Sequence, residues 1–134
     1  MIPYLTCMAL AAALNDLPPR VLPAIQAVEG GRVGSIHRNA NGTADLGVMQ
    51  INTVWIPTLA AGLGQSPDEL RQRLIGDPCF NIVIAGAILR LHLDEERGDL
   101  WRAIGDYHSR RPASNQGYQL KVGMAAIRQG LAVE

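Results

Sequence analysis

Apolar residues recur at helical spacing along almost the whole chain, and the pattern fails in one stretch, Arg32 to Leu46. There, Asn39-Ala40-Asn41-Gly42 contains the Asn-Gly pair favoured in tight hairpin turns, so a short β-hairpin is expected between helical segments. The expected fold class is mostly α, an α+β arrangement of helices with one small hairpin. A chain of 134 residues, 48% of them hydrophobic, can bury a core unaided, and one domain over residues 1–134 is expected.

Punctuation divides the helical part. Thr6 is placed to cap a first helix through Leu14, closed by Asn15-Asp16. A second begins at Pro18-Pro19, carries Val21, Leu22, Ile25 and Val28 on one face, and stops at Gly30-Gly31. Helical signals resume around Gly47. Ser66-Pro67-Asp68-Glu69 has capping-box spacing for a helix through Ile75. Asp77-Pro78 starts a strongly apolar helix to about Glu96, and Asp99 caps the next, with Leu100, Trp101 and Ile104. Arg110 to Gln116 reads as a loop before a final helix over about Gly117 to Leu131.

Charge and composition narrow the partners. Twelve basic residues balance twelve acidic ones, so no net field draws the chain to nucleic acid or an anionic membrane. The apolar run Met8 to Leu14 is too short to span a bilayer. His37, His92 and His108 lack metal-ligand spacing, and Cys7 and Cys79 are too few for a zinc site, so no metal is assigned. The two cysteines read as buried thiols or as a disulfide, the latter requiring an oxidising compartment.

Glu29 ends a buried helix, where the negative end of the macrodipole disfavours a carboxylate and raises its pKa. After the irregular segment come Asn39-Ala40-Asn41-Gly42-Thr43-Ala44-Asp45 and Gly47-Val48-Met49-Gln50-Ile51-Asn52. This succession resembles the lysozyme-like superfamily, and most closely the small lytic transglycosylases that accompany bacterial secretion and conjugation machines. Asp77-Pro78-Cys79-Phe80-Asn81-Ile82 looks like that family's second cysteine segment, and Ala103-Ile104-Gly105-Asp106-Tyr107-His108 looks like its Ala-Tyr-Asn segment. The likeness runs from about Cys7 to Leu120. It departs at Gly30, where the family usually has Ser, and at His108, where it has Asn.

The resemblance implies a lysozyme-like fold with a cleft between Glu29 and the segment Asp45 to Asn52. It implies cleavage of peptidoglycan between N-acetylmuramic acid and N-acetylglucosamine without a cofactor, Glu29 acting as acid and then base. Asp45 and Tyr107 complete the catalytic candidates; Met49, Gln50, Asn52 and His108 are candidates for holding sugar. Asp45 either stabilises positive charge at the sugar or merely bonds hairpin amides. A Cys7–Cys79 disulfide and a periplasmic or secreted location are further implications, with a signal segment already removed ahead of Met1-Ile2-Pro3-Tyr4. Partners are glycan strands and components of a secretion, conjugation or pilus machine. A hydrolytic lysozyme using Asp45 and water, and a peptidoglycan-binding adaptor with little turnover, are the alternatives.

Overall fold

The computed structural model describes residues 2–130. Helices α1 (Leu5–Leu14), α2 (Val21–Glu29), α3 (Ile56–Leu63), α4 (Pro67–Gly76), α5 (Pro78–Glu95), α6 (Leu100–His108) and α7 (Pro112–Arg128) surround one hydrophobic core. A three-stranded antiparallel sheet, β1 (Ile36–Arg38), β2 (Ala44–Leu46) and β3 (Ile51–Asn52), is inserted between α2 and α3. The fold is the α+β lysozyme-like class that the sequence implies.

Helix α5 organises the rest because it is apolar on nearly every side. Ile82, Ile84, Ala85, Ile88, Leu89 and Leu93 are all buried, as expected of a helix surrounded by others. Asp77 caps it, its side chain accepting from the Phe80 amide at 3.1 Å. Ser66 caps α4 and Asp99 caps α6 in the same way, as their sequence positions predict. Each fully buried Leu or Ile on these helices contributes roughly 1.5–3 kcal/mol. Among the described residues no single helix is long and apolar enough to cross a membrane.

A disulfide joins Cys7 in α1 to Cys79 in α5, with the Cα atoms 5.1 Å apart and 72 positions between them in sequence. Closing so large a loop restricts the unfolded chain. Replacing both cysteines with serine should therefore lower stability by roughly 2–4 kcal/mol. A urea midpoint unchanged in the double variant would show that the bridge contributes nothing.

Four sequence expectations shift. Helix α1 starts one residue before Thr6, behind Tyr4 in a left-handed conformation, and Thr6 lies inside the helix. Pro18 and Pro19 precede α2 and do not open it. Residues 47–50 form a turn leading into β3, so the helix resumes only after a short 3-10 turn at Thr53–Trp55. Helix α7 begins at Pro112, within the expected loop, because proline suits the first helical position. Leu131, the expected end of that helix, lies outside the described residues.

Candidate active site

Glu29 is the final residue of α2, and Gly30 ends the helix in the left-handed region with φ 68°. At Gly31 a Cβ would run into the backbone carbonyls of Gly47 and Val48, so only glycine lets the end of α2 lie against the turn before β3. That contact brings the helix carboxylate to the hairpin segment. The Gln26 side chain ties the bend down by donating to the Gly31 carbonyl at 3.1 Å.

The Glu29 carboxyl is pushed above its ordinary range, chiefly because it is removed from water. The Tyr118 hydroxyl donates to Oε2 at 2.5 Å and works against that rise. Asp45 raises it further through like charge, while Lys121 lowers it. Burial dominates this balance. Tyr118 itself is buried in α7, and its phenol is driven far above the usual range by burial and by Glu29. Changing Tyr118 to Phe removes an interaction that favours the carboxylate, so the Glu29 pKa should rise and the alkaline limb of any Glu29-dependent rate should move to higher pH. A limb that moves down, or stays in place, would contradict this balance.

Asp45 sits in the middle of β2, across from His37 in β1 and Asn52 in β3. Its carboxylate is held by side-chain amides: Asn52 donates to Oδ1 at 2.9 Å and Asn39 to Oδ2 at 3.3 Å. The hairpin loop closes through the Asn39 amide donating to the Thr43 carbonyl, with Asn41-Gly42 inside it. Asp45 is thus a positioned acceptor serviced by Asn39 and Asn52, and hairpin backbone amides do not hold it. Asn52 does double duty, its Oδ1 accepting from Val54 at the start of the 3-10 turn.

The segment Gly47 to Asn52 contributes unequally. Met49 is fully buried and its side chain belongs to the core, so it supplies no wall to the cleft. What Met49 offers is backbone: its carbonyl accepts from the Tyr107 hydroxyl at 2.8 Å, and its amide donates to Asn81. Tyr107 accordingly anchors α6 to this turn and does not bond Glu29; the tyrosine on the acid is Tyr118. Gln50 adopts φ 54°, an uncommon conformation for a residue with a side chain, and its side-chain amide donates to the Gly47 carbonyl at 3.0 Å.

A cleft of about 580 Å³ has Glu29, Asp45, Gln50, Asn52, Tyr107 and His108 on its walls. A second hollow of about 380 Å³ adjoins Glu29 from the α7 side, where Lys121 and Tyr118 face it. His108 lines both and stacks on the Tyr118 ring, centroids 4.9 Å apart and planes 10° from parallel. The departure at His108 thus bears on the acid through its tyrosine. Trp55 lies at the cleft, whereas Trp101 packs toward α7 elsewhere. His92 is buried beside Trp55, its Nδ1 3.1 Å from Glu95.

The sequence reading missed Tyr118 and Asn81. Tyr118 has helical spacing with Val122, Ala125 and Ala126, all buried, and that stripe could have marked it as facing the core.

Comparison with known proteins gives the family of the chain. The model of the transglycosylase SLT domain matches residues 6–118. Invasion protein IagB of Salmonella typhimurium is 31% identical over 104 residues, 77% of this chain and 61% of that protein. Protein IpgF of Shigella sonnei is 29% identical over 136 residues, 98% of this chain and 86% of its own length, and IpgF of Shigella flexneri is 28% identical over 128 residues, 95% and 80%. The chain thus spans about three fifths of the length of the Salmonella relative.

Proposed function

The chain belongs to the transglycosylase SLT domain family, and from that membership we propose that it cleaves the β-1,4 bond between N-acetylmuramic acid and N-acetylglucosamine in peptidoglycan, leaving 1,6-anhydro ends. The observation that carries this reading is a part-buried Glu29 carboxyl, raised in pKa, on the wall of a cleft it shares with Asp45. A carboxylic acid that keeps its proton toward neutral pH can protonate the glycosidic oxygen as the bond to C1 breaks. The resulting Glu29 carboxylate then takes the proton of the muramyl C6 hydroxyl as that oxygen bonds to C1. The nucleophile belongs to the same sugar, so high effective concentration replaces an activated water. Asp45, held as an acceptor by Asn39 and Asn52, stabilises the positive charge at C1.

Gln50, Asn52 and His108 line the cleft and are the groups proposed to hold the sugars. We assign Tyr107 a positioning role through the Met49 carbonyl. No cofactor enters this chemistry. The same reading puts the enzyme in the periplasm or outside the cell, opening the wall locally for a secretion, conjugation or pilus machine, as one domain over residues 1–134. The balanced charge suits confined action better than broad attack on an anionic surface.

Hydrolysis is the second reading, because Asp45 faces the same cleft as Glu29. Product mass separates the two, since hydrolysis adds one water to each released muropeptide. Asp45→Asn is expected to retain measurable activity and to yield 1,6-anhydro ends. Removing that charge also lowers the Glu29 pKa, so the alkaline limb should move to lower pH, opposite to Tyr118→Phe. Reducing ends from the unmodified enzyme, with activity abolished in Asp45→Asn, would make it a lysozyme.

A further inference from the structure

Behind the hairpin lies a smaller hollow of about 270 Å³, lined among others by Arg38, Asn39, Thr43, Thr53 and Arg71. Successive strand residues face opposite ways, so Arg38 is turned from the face that His37 and Asp45 share. Arg71 approaches from α4, half buried, while Arg38 is exposed. Among the described residues neither guanidinium has a carboxylate partner, whereas Arg90, Arg102 and Arg110 each have one. No acidic side chain lines the hollow. Two cations brought together without a counter-charge favour an incoming anion, and guanidinium forks match the geometry of a carboxylate.

The position of the hollow indicates where that anion comes from. Asn39 and Thr43 line both this hollow and the cleft that holds Glu29, so the hairpin loop is their common wall. We propose that Arg38 and Arg71 bind a carboxylate of the peptide stem carried by the glycan strand, making the enzyme selective for stem-bearing strands. This rests on the glycan-cleaving reading above. A stem of a few residues spans about 3.3–3.6 Å per residue, enough to pass around the tip of the short hairpin. Because the stem is tethered to the sugar in the cleft, its carboxylate arrives at high effective concentration, and even a weak contact then adds to affinity.

The test compares glycan strands bearing stems with the same strands stripped by an amidase, for the unmodified protein and Arg38→Gln/Arg71→Gln. The unmodified protein should cleave stem-bearing strands roughly tenfold more efficiently, the effect of one to two charge-assisted hydrogen bonds. The double variant should lose that preference through a higher KM, and should cleave stripped strands as the unmodified protein does. Arg38→Gln alone, an exposed change, should lose part of it and guards against misfolding of the double variant. Equal efficiency of the unmodified protein on both strands, or the same loss in the variants on both, would overturn the proposal while leaving glycan cleavage in place. Cleavage of neither by the unmodified protein would remove the glycan reading and this one together.

Discussion

Glu29→Gln is expected to lower glycan cleavage by at least about a hundredfold while the protein stays folded. The amide cannot deliver a proton to the leaving oxygen, and neither tyrosine beside it can substitute: Tyr118 has a phenol pushed far above the working range, and the Tyr107 hydroxyl is committed to the Met49 carbonyl. The same substitution should not destabilise the protein at neutral pH. A carboxyl whose pKa is raised on folding contributes stability below its unfolded pKa and loses it as pH rises through the folded one. Glu29 is such a group, so its ionisation as pH rises opposes folding, and a neutral amide avoids that cost. Thermal melts at pH 7 alongside muropeptide release check both halves. Near-normal release from a folded Glu29→Gln protein would end the assignment.

Asn81→Leu should be the most destabilising single change outside the cleft, by roughly 3–5 kcal/mol. Asn81 is fully buried in α5 and satisfies three backbone groups from separate elements. Its Nδ2 donates to the carbonyls of Leu46 at 2.9 Å and Leu74 at 2.8 Å, and its Oδ1 accepts from the Met49 amide at 2.8 Å. Leucine keeps the volume and leaves all three buried without partners. Because Met49 lies in the turn that carries Gln50 and Leu46 ends the strand that carries Asp45, activity should fall at temperatures where the variant is still folded. A loss below about 1 kcal/mol by urea unfolding would show that water or a backbone shift supplies the missing bonds.

What could be read from the sequence was what local chemistry specifies. The hairpin, the caps at Ser66, Asp77 and Asp99, and the end of α2 at Glu29 all follow from short-range rules that tertiary contacts did not override. What escaped depended on partners distant in sequence. Strand β3 has two residues and exists because β2 offers it an edge, which no periodicity can announce. Met49 is a sugar-holding candidate only through the family resemblance, and beside the left-handed turn at Gln50 its side chain lies in the core. Tyr118 lies just beyond a segment that reads as a loop, since Ala113, Ser114 and Asn115 after Pro112 carry little apolar pattern. The hydrogen bond from Tyr118 to Glu29 joins residues 89 positions apart, beyond the reach of any local signal.

That same separation sets an order of events in the life of the chain. Synthesis from the N-terminus delivers the acid early, on α2, but the phenol that bonds it only when residue 118 has emerged and α7 has docked. Without α7 the Glu29 carboxyl has no Tyr118 hydroxyl to bond and no wall on that side. On the glycan-cleaving reading proposed above, the site is incomplete until α7 has docked. The contact between an early helix and a late one makes the protonation and aim of that one carboxyl group depend on the docking of α7.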